Sequence, residues 1–215
     1  MTRAPQQQRA EETRRNVLDA TLRVLARLGP HGVTHRSVAA EAGASVRATT
    51  YYFASRDELL REALAHYTRG AIERFRMIES ALEAAGSISI DDAADALAAI
   101  VIADVVGDRV GLVAEYELAL EAARTPSLEA IYRDFQAALE AMLATHARAL
   151  GAAEPKIAAR LVLATLRGLE LEALARPSEK PSSRAIARVF RRLLAGLGER
   201  ASTAVPELPR SSPRR

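Results

Sequence analysis

Residues 33–59, VTHRSVAAEAGASVRATTYYFASRDEL, leave this chain few ways to fold. Thr34 is a good N-cap for a short helix whose inward positions are Val38 and Ala39. Gly43 can take the left-handed conformation that ends a helix without a Cβ clash. Ser45 caps a second short helix over about 46–52, which Val46 and Phe53 are placed to lock into a small core. Ser55 and Glu58 have the spacing of a capping box and start a third, longer helix. Two short helices joined around a Gly make a helix-turn-helix, whose second helix is the one that enters a DNA major groove.

The remaining pattern is helical throughout. Val17, Leu18, Thr21, Leu22, Val24, Leu25 and Leu28 recur at three- and four-residue steps, which predicts a first helix over about 10–28, ended by Gly29-Pro30. Residues 1–9 are polar, hold Pro5 and three Gln, and read as unstructured. The helix from Ser55 should run to about 85, where Gly86-Ser87 breaks it. Five more helices follow over about 90–106, 108–123, 126–149, 154–175 and 181–198, separated by Gly and Pro punctuation. Residues 199–215, with three Pro and three Ser, read as a disordered tail. The expected fold class is therefore all-α. An N-terminal three-helix unit spans 1–56, and a helical body of about 57–198 follows it.

Charge is distributed in the same two parts. Residues 1–56 hold nine Arg against four acidic residues, whereas 57–198 hold 17 basic against 21 acidic. A basic end on an acidic body is the footprint of a polyanion binder. The chain has no Cys, which excludes disulfides and thiolate chemistry. No apolar signal segment opens it, and the apolar run at 93–106 is interrupted by Asp95 and Asp104 and too short to span a bilayer, so a cytoplasmic protein is expected. Four scattered His, no phosphate-cradling Gly loop and no Ser-His-Asp order argue against an enzyme, and no catalytic residue is assigned. His31 and His35 are four apart, but no third ligand joins them, so no metal or cofactor is expected either.

The helices at 90–106 and 108–123 are apolar nearly all round and should be buried. Asp104, Glu115, Tyr116 and Glu117 are polar intruders there. A buried carboxylate is costly unless paired. Either an internal partner such as Arg109 satisfies them, or they line a ligand pocket. His146 lies on the apolar stripe of the 126–149 helix and reads as a core His or a pocket contact.

The 33–59 segment resembles the DNA-binding domain of the tetracycline-repressor (TetR) family of bacterial transcription regulators. The resemblance rests on Gly32-Val33-Thr34, on Val38-Ala39-Ala40-Glu41-Ala42-Gly43, and on Thr50-Tyr51-Tyr52-Phe53 with Ser55-Arg56-Asp57-Glu58-Leu59. Many members carry Tyr where Thr50 stands. On the second helix, Arg47, Ala48, Thr50 and Tyr51 form the expected outward set, with Ser45 at its cap. Arg47 is suited to guanine and Thr50 to either base type or a thymine methyl. Tyr52 and Arg56, with Thr34 and Arg36 on the other side, match family positions that grip phosphate, and His35 beside the cap faces phosphate too. The resemblance further implies a homodimer formed by the last two helices, a near-palindromic double-stranded DNA operator, and a small-molecule effector in the body helices that releases a repressor. The alternative reading is an effector-independent architectural DNA-binding protein.

Overall fold

A computed structural model of the protein describes residues 3–84 and 89–197. Among them are nine α-helices and no strand: α1 Arg3–Gly32, α2 His35–Ala42, α3 Val46–Tyr52, α4 Arg56–Ala84, α5 Ile90–Ile102, α6 Arg109–Ala122, α7 Pro126–Ala149, α8 Pro155–Ala175 and α9 Ser183–Leu197. The expected break at Gly86-Ser87, residue 198 and the 199–215 tail lie outside the described residues. The expectation for the first residues is corrected. α1 starts at Arg3, with Pro5 in its first turn, where a missing N–H leaves no hydrogen bond unmade. Gly29 does break α1: its φ of 67° and ψ of −179° suit only a Gly, and one helical turn follows from Pro30.

Local chemistry builds the helix-turn-helix. The Thr34 side chain accepts from the Ser37 N–H at 3.0 Å while the Thr34 N–H donates to Ser37 Oγ, a reciprocal capping box. Gly43 closes α2 in the left-handed region at φ 62°, and Asn16 of α1 donates to the Ala42 carbonyl at 2.9 Å. Ser45 caps α3 by accepting from Ala48 N–H. At the head of α4, Ser55 Oγ accepts from Glu58 N–H, but the Glu58 carboxylate reaches back to Ala54 N–H. Only half of the expected box is therefore made.

Val46 is a second correction: it is 47% exposed. It is the first residue of α3, beyond the reach of α2, and the inward position is taken by fully buried Thr49. The Thr49 hydroxyl donates to the Val46 carbonyl at 2.8 Å, so its burial leaves no orphaned donor. Phe53 is buried as expected.

Two apolar cores run along the molecule. One gathers Val17, Leu18, Leu25, Val38, Phe53, Leu59 and Leu64, and also takes in Ala114, Leu118 and Ala122 of α6 and Leu128 of α7. The other joins α5, α6, α7, α8 and α9 through Leu97, Val101, Leu112, Phe135, Val162, Leu166 and Phe190. α4 contributes to both: Leu59 to Tyr67 in the first, and Phe75 and Ile78 against the second. The helix that leaves α3 therefore enters the body without a linker. α6 provides a second path, because its C-terminal half packs on α1. α5 and α6 are not buried all round as their composition predicts: Val106, Val110 and Leu120 are exposed.

Between α5 and α6 the chain widens into a π-helical turn, Ala103–Gly107, closed by the Asp108 N–H donating to the Ala103 carbonyl at 2.9 Å. Such turns concentrate at functional sites, because the extra residue redirects a side chain. Asp104 lies in the first turn of this one.

Candidate functional site

Two constellations stand out, one at each end of α4. The first is the exposed face of α3. Ser45, Arg47, Thr50 and Tyr51 are exposed, with Tyr51 at 81%, an unusual position for an aromatic ring in water. Ala48 is half-buried. The Thr50 hydroxyl donates to the Val46 and Arg47 carbonyls, both at 3.1 Å, which leaves its oxygen as an acceptor and its methyl outward. Tyr52 is half-buried, edge-on to Tyr51 with ring centroids 5.0 Å apart, and packs on the N-terminal core.

On the flanks, Thr34 and Arg36 are exposed and His35 is half-buried. Arg56 is held inward, donating to the Pro30 carbonyl at 2.8 Å. Three other N-terminal guanidiniums are occupied: Arg14 pairs with Glu62, and Arg23 and Arg27 both pair with Glu41. Arg36 and Arg47 join no ion pair among the described residues, and neither do Arg9 and Arg15.

The second constellation is a cavity of about 90 Å³ between α4, α5, the π-turn, α6, α7 and α8. Asp104 and Glu115 line it, as expected of pocket residues. Tyr116 stands behind the wall and donates to Glu170 Oε2 at 2.7 Å. Glu117 is elsewhere: its carboxylate lies beside the Gly29 kink of α1. His146 lines a separate, more apolar cavity of about 50 Å³, with its Nε2 3.5 Å from Glu79. Phe75, Ile78 and Ile100 belong to the walls of both cavities.

Four polar residues of the first cavity escaped the sequence reading: Tyr67, Arg74, Arg167 and Glu170. Glu170 was detectable, since it falls four residues after Leu166 and seven after Leu163 on the apolar stripe of α8. Arg167 forms an ion pair with Glu115 at 3.0 Å, and the Tyr67 hydroxyl donates to the other Glu115 oxygen at 2.8 Å. Arg167 also donates to Gln136 and lies over the ring of Tyr132, 5.6 Å from its centroid. The expected Asp104 partner, Arg109, instead donates to the Leu174 carbonyl. The one ion-pair partner of Asp104 among the described residues is Arg74 of α4, at 3.9 Å, whose guanidinium is half-exposed, and the Asp104 carboxyl also lies within hydrogen-bond reach of Glu170.

Three acids thus gather around one well-buried guanidinium, Arg167, which acts on Glu115 and Glu170, and one half-exposed guanidinium, Arg74, which acts on Asp104. Burial pushes the Asp104 carboxyl up to about 6, against the pull of Arg74. Burial pushes Glu170 up to about 8, although the Tyr116 hydroxyl bond opposes it. Burial and the Glu115 charge hold the Tyr67 phenol well above its ordinary value. Desolvation works against the Arg167 charge, but Glu115, Tyr132 and Tyr116 together more than offset it.

Comparison with known proteins follows the same two-part division. Residues 17–63 match the family described as bacterial regulatory proteins, tetR family, and residues 88–196 match the tetracyclin repressor-like C-terminal domain. The chain is 26% identical over 173 residues to the HTH-type nicotine-responsive transcriptional repressor HdnoR of Paenarthrobacter nicotinovorans, covering 78% of this chain and 87% of that one. Its fold is similar to the multidrug binding protein EbrR complexed with ethidium, with 30% identity, a TM-score of 0.63, and 85% of this chain and 98% of that chain covered. It is also similar to a TetR-family protein of Streptomyces coelicolor A3, at 31% identity and a TM-score of 0.68 over the same shares. With a capped helix-turn-helix and a helical body that both match, the chain belongs to the TetR family of bacterial DNA-binding transcriptional regulators.

Proposed function

We propose that the protein is a homodimeric repressor that reads a near-palindromic operator with α3 and lets go when a small molecule occupies the α4–α8 cavity. The DNA-binding unit is 1–56, and 57–198 carries the effector and dimer functions. The observation that carries this reading is α4 itself. Its first turns are built into the helix-turn-helix core, and its later turns, at Tyr67, Ala71, Arg74, Phe75 and Ile78, form one wall of the cavity. The cavity is far smaller than the roughly 300–1,000 Å³ that drug-sized ligands occupy. A ligand must therefore widen it, and moving α4 moves α3. Coupling of about 1–3 kcal/mol is typical of such linkage. A purely architectural binder has no need of an apolar-walled cavity holding several carboxyl groups, built against the helix that carries its DNA-reading element.

In this reading Arg47, Thr50 and Tyr51 meet base edges, with Ala48 and Ser45 close to the groove floor. Thr34, His35, Arg36 and Tyr52 hold phosphates and set register. Arg56 serves from behind, through Pro30. Arg47→Ala should relax sequence preference by about 1–3 kcal/mol at one base pair while sparing affinity for random DNA. Parallel titrations on specific and random duplexes check this, and equal losses on both would make Arg47 a phosphate contact.

Dimerisation fits a seam on α8. Ile157, Leu161, Ala164, Gly168 and Leu171 are spaced alternately four and three apart, and all are exposed. On α9, Ala185, Val189, Arg192 and Gly196 are among the exposed residues, together with the charged Arg184 and Arg188, while Ile186, Phe190 and Leu194 turn inward. A stripe of apolar and small residues repeating every 3.5 residues is what a packed helix pair requires. Selection of binding sites from a random duplex pool tests the whole reading. Two inverted half-sites whose centres lie about 34–36 Å apart are expected. Enrichment of a lone half-site, or of nothing, would contradict it.

A further inference from the structure

We infer that the α4–α8 cavity takes an organic cation, whose positive charge settles between Asp104 and Glu170 and whose apolar body lies against Phe75, Ile78 and Ile100, and that its entry drives one proton out to solvent. This rests on the effector reading of the cavity and adds the chemistry of what enters.

Charge and space both point this way. Glu115 is neutralised internally: Arg167 pairs with one oxygen at 3.0 Å, although no hydrogen bond is made to that oxygen, and the Tyr67 hydroxyl donates to the other. Glu170, 3% exposed, receives the Tyr116 hydroxyl, and no cation is paired with it among the described residues. Asp104 has Arg74 at 3.9 Å, on a guanidinium whose side chain is 46% exposed. An apolar-walled cavity therefore holds two carboxyl groups with no buried cation of their own. Two ways exist to satisfy such a pair: a bound proton or a bound cation. An anionic ligand would meet three carboxyl groups here, and a neutral one would leave the pair as it is.

The surroundings fit a cation with an apolar body. Phe75, Phe135 and Tyr67 supply aromatic faces that attract an ammonium or amidinium group. Phe75, Ile78 and Ile100 separate this cavity from the more apolar one lined by Leu97, Leu143 and His146. A turn of the Phe75 ring would join the two spaces into one slot, charged at one end and greasy at the other. The charged and titratable groups facing the pair come from five elements. These are Tyr67 and Arg74 on α4, Asp108 after the π-turn, Glu115 and Tyr116 on α6, and Tyr132 and Arg167 on α7 and α8.

The empty cavity keeps its proton on Glu170 at neutral pH, since burial holds that carboxyl up to about 8. The exchange balances as carboxylic acid plus ligand cation giving a carboxylate–cation pair plus a solvated proton. The cation and the proton compete, so affinity for the cation rises with pH. The expected gain is close to tenfold between pH 6 and 7 and roughly fivefold between pH 7 and 8, with nearly one proton released per ligand at pH 7.

The test uses the full chain and two fluorescent probes of opposite charge, ethidium and 1-anilinonaphthalene-8-sulfonate. Calorimetry in buffers of different ionisation enthalpy counts protons. Ethidium should bind saturably and tighten with pH as described. Glu170→Gln, which imitates the protonated acid and should leave the fold intact, should weaken ethidium by about tenfold or more at pH 8 and abolish proton release. At pH 5, where Glu170 is protonated in the parent protein, the two affinities should converge. Asp104→Asn gives an independent loss. Preferential binding of the anionic probe, pH-independent ethidium affinity, or unchanged binding in both variants would overturn the inference. A neutral or anionic compound that fills the cavity and frees operator DNA would sink the cation while sparing the effector reading. A cation held in the cavity with the DNA complex intact would do the reverse.

Discussion

Replacing Ile157 and Leu161 together by Glu is expected to leave a folded monomer that has lost about a hundredfold or more of its operator affinity. Both side chains are already 50% and 43% exposed within one chain, so the substitution removes little from that chain's own core. In a dimer it places four carboxylates in one apolar seam, where each lacks a partner. The loss on DNA follows from avidity. A single helix-turn-helix gains little beyond one half-site, whereas two held at fixed separation bind the second half-site as an intramolecular step, worth roughly 10²–10⁴. Light scattering and DNA titration on the same preparation decide it. A dimer that survives both charges would place the interface elsewhere, with the exposed Val106, Val110 and Leu120 the next surface to try.

The second large effect is on stability and has a sign that depends on pH. Glu170 holds its proton up to about pH 8 when folded, against an ordinary value of 4.5. Between these limits the folded chain binds a proton that the unfolded chain does not. Stability therefore falls as pH rises through that window, and the loss is complete above about 8. The shift corresponds to a few kcal/mol, roughly 3–5. Asp104 acts in the same direction only up to about 6, which leaves the window from 6 to 8 to Glu170. Glu170→Gln carries the neutral form permanently. It should melt roughly 5–10 °C above the parent protein at pH 8 and within a degree or two of it at pH 5. Melting curves at pH 5, 6.5 and 8 check this. An equal shift at all three would mean that the substituted amide merely packs better.

The same residues show what a linear chain reveals. The caps at Thr34 and Ser45, the Gly43 turn and the Gly29 break are local, and each was legible because its partner lies within four residues. The inward position of Thr49 was harder to read. A hydroxyl that satisfies itself on its own helix looks polar in sequence and packs as a small apolar group. Pocket acids on α5–α6 were visible as intruders in apolar runs, but their partners were not. Arg167 meets Glu115 from 52 residues away and Arg74 meets Asp104 from 30, distances at which spacing carries no information. Glu117 was drawn into the same reading by adjacency alone, and one helical step turns it to the α1 kink instead. The π-turn at 103–107 that carries Asp104 likewise went unread in the sequence, which showed only a helix to about 106.

Specific DNA recognition by α3 is the claim on which everything else depends. The most direct measurement titrates the dimer onto the intergenic DNA upstream of its own gene and onto a shuffled duplex of equal composition, each at two salt concentrations. A preference of about a thousandfold or more for the native sequence is expected. Salt should weaken binding to both duplexes through the phosphate contacts without erasing that preference. Equal affinity for the two duplexes, lost together as salt rises, would contradict it and leave a non-specific polyanion binder.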